Sequence, residues 1–224
     1  MNLAQEVRYL VAKELLLEWR QKYALGGIAL YVVSTVFVIY TSLNQSGEEL
    51  AKTTWNVLFW ITLLFTAVNA IAKSFTQENR ERNLYYYTLM SPQAVILSKM
   101  VYNAGLMILL TLIALAVFTV MLGSPVGQWA IFSVVVLLGG LGFSFLLSMI
   151  SAIAAKAGNN ATLMAILSFP VILPLILILL KLSRFAFVAE ATFEDVSGLL
   201  VTLLALDAML VALSFILFPY LWRD

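Results

Sequence analysis

Histidine and cysteine are both absent from this chain of 224 residues. Without cysteine there can be no disulfide, no thiolate nucleophile and no cysteine-bound metal. Without histidine the chain lacks the commonest general base and the commonest ligand of metal ions and of haem iron. These two absences exclude most familiar kinds of catalytic and metal site.

Charge is also scarce. Only 11% of the residues are charged and 62% are hydrophobic, whereas soluble domains carry about a quarter charged residues. The net charge of +1 gives no indication of nucleic-acid binding. Apolar runs of about 18 residues or more recur along the chain, and each is long enough to cross a hydrocarbon layer of about 30 Å. The composition therefore predicts a polytopic membrane protein.

Six spans are predicted, over residues 24–42, 55–72, 100–122, 129–154, 161–180 and 197–222. Lipid offers the backbone no hydrogen-bond partners, so each span must be helical and the fold class is all-α. Runs such as ILLTLIALAVFTVML have none of the two-residue alternation of a β-barrel. The spans form a single permease domain over residues 24–222.

The residues before the first span, 1–23, are predicted to form an N-terminal interfacial helix. They hold seven charges, which argues against a cleaved signal peptide. An apolar face begins at Leu3 but is interrupted by Glu14 and Glu18, and a second apolar stripe starts at Leu15. A helix that lies along the membrane and bends into the first span accounts for such a switch of face. An ordinary soluble flank is the alternative.

The distribution of basic residues orients the spans. Ten of the 13 Lys and Arg residues lie in the N-terminus, the 73–99 segment, the 155–160 loop or the C-terminus. The opposite side holds only Lys52, Lys181 and Arg184. Positively charged loops stay in the cytoplasm, so both termini are predicted to be cytoplasmic. On the outer side, residues 181–196 are predicted to lie on, or to re-enter, the membrane surface.

Two sequence patterns within the spans affect how the helices pack and bend. The fourth span has a small residue at every fourth position, and this stripe favours close helix packing over a substrate path; it consists of Gly140, Ser144, Ser148 and Ala152. The fifth span contains Pro170 and Pro174. Each proline removes a backbone hydrogen bond and bends the helix, so the pair predicts either a gating hinge or a fixed kink.

Asp207 is the only carboxylate deep within a span. Intramembrane aspartyl chemistry requires two carboxylates, so a single one excludes it. A lone aspartate either carries protons or a cation, or forms a hydrogen bond with a neighbouring helix. The structural role is favoured, and a proton- or cation-coupled carrier that uses Asp207 is kept as an alternative function.

The chain has no ATP site of its own, because no lysine follows a glycine as a phosphate-binding loop requires. It is predicted to be a non-catalytic subunit. The charged segment between spans two and three is longer than a simple connection. Ser91 suits a helix N-cap and Pro92 the first helical position, so the third span should start about two turns before the bilayer. Residues 75–90 are predicted to form a short cytoplasmic docking helix, with an interfacial linker as the alternative.

Two stretches, YYYTLMSPQAVILSKMVYNAG and SFPVILPLILILL, together with the size and layout of the chain, carry a family resemblance. The chain resembles ABC-2 type permeases of ATP-binding-cassette transporters, and within them the haem exporter B (CcmB) permeases of cytochrome c maturation. Asn83 stands where many relatives have glycine, and Tyr85–Tyr87 replace a leucine- and acid-rich stretch. The residues that match the family's loop pattern are Phe75, Glu78, Arg80, Glu81, Leu89, Ser91, Pro92 and Lys99.

The resemblance implies a membrane permease subunit of an ABC complex for haem export or delivery in c-type cytochrome biogenesis, in the bacterial inner membrane. Its implied partners are a CcmA-like ATPase, a CcmC-like haem-handling protein, and a second permease subunit or a homodimer. The ATPase would bind the docking helix through Phe75, Glu78, Arg80, Glu81, Arg82, Tyr85, Tyr86 and Tyr87. Lys156 and Asn159 would form a second, smaller cytoplasmic contact.

Haem is not expected to be a bound cofactor, because a chain without histidine is poorly equipped to ligate haem iron. Haem would either pass by apolar contact or be held by a partner that responds to ATP-driven motion, and the second is favoured. A permease that exports a lipid, a drug or a polysaccharide is the alternative within the same superfamily.

Overall fold

The computed structural model describes residues 2–20, 22–46, 50–71, 90–156 and 161–223. The regular elements of these ranges are all α-helices, and six of the seven are long and apolar enough to cross a membrane. The predicted all-α, six-span class is therefore confirmed. The helices are α1 (Leu3–Arg20), α2 (Lys22–Ser46), α3 (Lys52–Ile71), α4 (Pro92–Leu122), α5 (Trp129–Lys156), α6 (Ala161–Ala186) and α7 (Phe193–Arg223).

Helix α5 lies at the centre of the bundle, where it packs against α3, α4, α6 and α7. Its Gly-Gly-Leu-Gly sequence explains how it approaches several neighbours closely. A Cβ atom at Gly139 would lie 2.6 Å from the Trp60 ring of α3, and one at Gly140 would lie 2.9 Å from Thr111 Oγ1 of α4. A Cβ at Gly142 would lie 2.6 Å from Asp207 Oδ1 of α7. These three glycines therefore allow α3, α4 and α7 to pack closely against α5.

The two ends of the bundle are distinct. We call the end that carries α1, residues 90–91 and the end of α7 the proximal end. The opposite end, which carries the connections 123–128 and 187–192, is the distal end. An aromatic cluster fixes the distal end: Trp55 stacks on Phe59 with ring centroids 5.2 Å apart and meets Phe118 edge-on at 5.4 Å. Trp55 Nε1 also donates a hydrogen bond of 3.0 Å to the carbonyl of Gly123, which ends α4 with a φ of 73°.

Residues 181–196, predicted to lie on or to re-enter the membrane surface, do not form a separate segment but belong mostly to the two flanking helices. Helix α6 continues to Ala186, and α7 begins at Phe193 after a short connection. Asp195 in the first turn of α7 reaches back to Thr192, whose amide and hydroxyl both donate to Asp195 Oδ2 at 2.8 Å. The alternation of apolar and charged residues reflects a helix with one buried face, because Leu182 and Ser183 are fully buried while Arg184 is exposed.

Candidate functional site

The N-terminal helix α1 lies alongside the first turns of α4. Three glutamates of α1 contact the N-cap residue and two further residues of α4, and the partners are 85, 85 and 84 positions apart in the chain. This nearly constant separation means that the two helices run parallel and in register. We call this contact the α1–α4 junction; its pairs are Glu6 with Ser91, Glu14 with Lys99, and Glu18 with Tyr102.

Glu6 binds the N-terminus of α4. Its Oε2 atom accepts hydrogen bonds from the hydroxyl of Ser91 at 2.7 Å and from the backbone amide of Ser91 at 3.1 Å. The Ser91 hydroxyl in turn accepts from the amide of Ala94, as the predicted N-cap should, and this cap is confirmed. A carboxylate at a helix N-terminus is also favoured by the helix dipole. The Ser91 hydroxyl and then its amide hold the pKa of Glu6 below its ordinary value.

Lys99 supplies the buried charge of the junction. Only 5% of its side chain is exposed, and its Nζ atom lies 3.3 Å from Glu14 Oε1. A buried ammonium group is tolerated when an opposite charge and hydrogen bonds compensate its lost hydration. Glu14 also contacts Lys13 at 3.0 Å, on the more exposed side of α1. Apolar residues of the same two helices are buried together, since Leu10 of α1 and Ile96 and Met100 of α4 belong to one cluster.

The polar contacts continue from α1 through α4 to the central helix. The Tyr102 hydroxyl donates to Glu18 Oε2 at 2.9 Å. The next residue of α4, Asn103, donates from Nδ2 to the Ser148 hydroxyl of α5 at 2.8 Å. Asn103 and Ser148 are both buried. The junction is therefore connected to α5 by side-chain hydrogen bonds as well as by packing.

A family model with the description CcmB protein matches residues 5–220. The chain belongs to the CcmB family. Searches of curated proteins and of solved structures give no match. The CcmB family supplies the membrane component of haem exporter ABC systems in cytochrome c biogenesis, so the predicted family and its membrane-transport role are confirmed. Membership of the Ccm system also implies an ATPase partner.

The α1–α4 junction of this CcmB chain begins where the predicted docking segment ends. That segment is predicted to end at Met90, and the next residue, Ser91, is bound by Glu6. The predicted ATPase-binding residues Phe75, Glu78, Arg80, Glu81, Arg82, Tyr85, Tyr86 and Tyr87 lie outside the described residues, as does Asn159. Lys156, from the predicted second contact, is the last residue of α5.

The remaining predicted site residues of the CcmB chain lie within the spans. In the small-residue stripe, Gly140 faces Thr111 of α4, Ser148 bonds to Asn103, and Ser144 and Ala152 are buried. Pro170 and Pro174 lie on the exposed side of α6, which is helical from Ala161 to Ala186, and a hinge there stays a prediction. Asp207 is buried beside Gly142 of α5.

Sequence reasoning did not identify Glu6, Glu14 and Glu18 as contact residues of this CcmB chain. It treated Glu14 and Glu18 as interruptions of an apolar face, whereas both face α4. A signal was present, because the glutamates are spaced by eight and four residues and their partners in α4 by eight and three. Two parallel helices in contact match the spacing of their partner residues, because both rise by the same distance per residue.

Proposed function

We propose that this CcmB family member converts ATP hydrolysis by a CcmA-like partner into movement of its spans, and that the partner docks on residues 75–90. The observation that carries the proposal is the α1–α4 junction. It holds the first residue after the docking segment, Ser91, by two hydrogen bonds that Ser91 donates to Glu6. A force applied to the segment therefore acts first on a helix start that α1 holds in place.

The contacts within the junction suggest how such a force reaches the membrane. The buried Lys99–Glu14 pair and the Tyr102–Glu18 hydrogen bond make α1 and the first turns of α4 move as one unit. The Asn103–Ser148 hydrogen bond then connects this unit to α5. Since α5 packs against four other helices, a tilt of α4 changes the packing of most of the bundle.

The proposed orientation places the proximal end in the cytoplasm of a bacterium, with the bundle in the inner membrane. Arg8, Lys13 and Lys99 lie at the proximal end, and the described basic residues of the distal end are Lys52, Lys181 and Arg184. With the basic residues of the docking segment included, the excess on the proximal side follows the rule that positive loops remain inside. Both termini then lie on the side where ATP is available.

The proposed role in haem export is mechanical. The chain has no histidine with which to ligate haem iron. We therefore assign haem handling to a CcmC-like partner, and motion to this subunit in a complex with a second permease copy or permease subunit. The purified subunit mixed with haem should give no shift of the Soret band. Stoichiometric, axially ligated haem would contradict this assignment.

The docking proposal is tested by reversing charge in the segment. We expect Arg80→Glu with Arg82→Glu to release the ATPase from the complex purified in mild detergent, because a charged docking surface is inverted. The control is Arg184→Glu, which reverses the charge of an exposed arginine at the distal end and should retain the ATPase. Full retention of the ATPase by the double variant would refute docking on this segment.

A further inference from the structure

An open groove of about 530 Å³ runs between α5 and α7. All of its lining side chains are apolar except that of Asp207. Along α7 the lining extends from residue 204 to residue 215, a length of about 16 Å at the rise of an α-helix. The groove is thus about three helical turns long; its larger apolar side chains are Leu138, Leu141 and Phe145 on α5 and Leu204, Val211 and Phe215 on α7.

Asp207 leaves two hydrogen-bond acceptors unsatisfied in the wall of this groove. The residue is only 6% exposed, and neither carboxylate oxygen has a hydrogen-bond partner among the residues that the structure describes. Oδ1 lies over Gly142, where a Cβ atom would be only 2.6 Å away. A buried polar group in lipid surroundings is strongly unfavourable unless it is paired. The part of this chain that the structure describes therefore leaves the carboxylate without a donor, and we ask which group outside it could supply one.

The depth of Asp207 restricts what that donor is. Asp207 lies near the middle of α7, which extends from Phe193 to Arg223, so it is about 15 Å from either surface of the hydrocarbon layer. A lipid headgroup stays at the surface, and an acyl chain has no donor to offer. A transmembrane helix fits the length and the apolar lining of the groove and presents side chains at this depth.

A second copy of this chain does not supply a matching charge. Every Lys and Arg of the sequence lies outside the six spans or within about two turns of the end of one. Lysine and arginine carry only donors, and they are the usual partners of an intramembrane carboxylate. Charge complementarity therefore favours a different membrane subunit.

We propose that the groove between α5 and α7 receives a transmembrane helix of a different subunit, and that this helix places a lysine or arginine side chain against Asp207. The proposal does not depend on where the ATPase docks. It assigns Asp207 to assembly of the complex, as one half of an ion pair between two subunits.

The test uses a photoreactive amino acid in the complete complex, in native membranes. Ala208 and Ala212 line the groove, whereas Met209 is exposed on the same helix and does not line it. We expect the probe at positions 208 and 212 to crosslink to a transmembrane peptide that has a lysine or arginine in mid-span. The probe at position 209 should give little of this product and mainly lipid adducts.

Asp207→Asn should reduce the crosslink about tenfold, as expected for the loss of one charge-assisted hydrogen bond. Exchanging the two charges, with Asp207→Lys and an aspartate in place of the partner's cation, should restore it. Gly142→Ala should also reduce the crosslink while the charge is retained, because the new Cβ displaces Oδ1. Gly105→Ala, where no other atom lies within 4 Å, should leave it unchanged.

Four results would overturn the proposal: crosslinks to lipid alone, to a second copy of this chain, to a helix without a cation at that depth, or in an amount that Asp207→Asn does not change. ATPase retention is measured in the same preparations. Loss of the crosslink with the ATPase still bound separates this contact from the docking segment.

Discussion

At the scale of single residues, the closest contacts of the bundle depend on glycines of α5. Gly139 and Gly140 are adjacent in sequence but face different helices, because successive residues of a helix point about 100° apart. At Gly139 an added Cβ would meet the Trp60 ring at 2.6 Å and Leu179 at 2.7 Å. Trp60 cannot shift freely, since its Nε1 donates to the Ser183 hydroxyl at 2.8 Å.

Gly139→Ala should therefore destabilise the protein by about 1–3 kcal/mol, the usual effect of overpacking a filled core. The measurement is the thermal unfolding temperature of the purified subunit in detergent. The control is Gly105→Ala in α4, where a Cβ meets nothing within 4 Å; alanine should be neutral there or stabilise by about 0.5–1 kcal/mol. Equal unfolding temperatures for the two variants would show that α5 adapts without strain.

The ionisation of Glu6 makes the stability of the folded protein depend on pH. Its pKa is lowered in the folded state by hydrogen bonds from the hydroxyl and amide of Ser91. The contribution of Glu6 is therefore fully present above the unfolded pKa of about 4.3, and it is lost as the pH falls through the lower folded pKa. Glu6→Gln removes the charge and keeps the shape. We expect wild type to be more stable than this variant at neutral pH and the difference to shrink below about pH 4.3.

Thermal unfolding across this pH range measures the effect. Glu190→Gln provides the control, because Glu190 is an exposed carboxylate at the distal end, away from the junction. A difference between wild type and Glu6→Gln that stays constant with pH would mean that the hydrogen bonds to Ser91 do not depend on ionisation.

At the scale of elements, Glu14 of α1 takes part in two ion pairs that differ in exposure, and one of them joins α1 to α4. Glu14 contacts Lys99, whose side chain is 5% exposed, and Lys13, whose side chain is 25% exposed. Exposed ion pairs contribute about 0–1 kcal/mol because water screens them. The Lys99 pair is desolvated, so breaking it by removing one partner should cost considerably more.

A double-mutant cycle separates the two pairs. Glu14→Gln and Lys99→Met should show a coupling energy of about 1–3 kcal/mol, within the range for contacting polar residues. Glu14→Gln and Lys13→Met should show less than about 1 kcal/mol. Denaturant titration of the purified subunit supplies the free energies. Similar coupling in both cycles would mean that burial of Lys99 adds nothing to the α1–α4 junction.

At the scale of the whole molecule, the orientation in the membrane decides which end meets ATP. Asn2 is exposed at the proximal end and Glu190 is exposed at the distal end. The chain contains no cysteine, so a single introduced thiol reports on one position only.

Glu190→Cys should react with a membrane-impermeant maleimide in intact spheroplasts. Asn2→Cys should react only after permeabilisation, because positively charged ends remain in the cytoplasm. The readout is the labelled fraction of each variant before and after permeabilisation. The reverse pattern would place the docking segment outside the cell and contradict ATPase coupling.

The sequence by itself determined the fold class and the six spans. Hydropathy is a property of consecutive residues, and lipid forces each apolar run into a helix whatever its neighbours are. Local signals also located the start of α4, because the Ser91 cap and the position of Pro92 involve residues only a few positions apart. The family followed from two short stretches and the layout of the chain, and the match over residues 5–220 confirmed it.

Only the tertiary structure decided which side chains meet. In the sequence Glu14 interrupts an apolar face, whereas in the folded protein it contacts Lys99 of α4, which is 85 positions away. The packing of α7 against α5 placed Asp207 beside Gly142, in the wall of an apolar groove. Residues 181–196 were misread because a charge pattern does not reveal which face of a helix its neighbours bury. Such pairings depend on how helices distant in sequence pack together, and no local pattern of hydrophobicity specifies that packing.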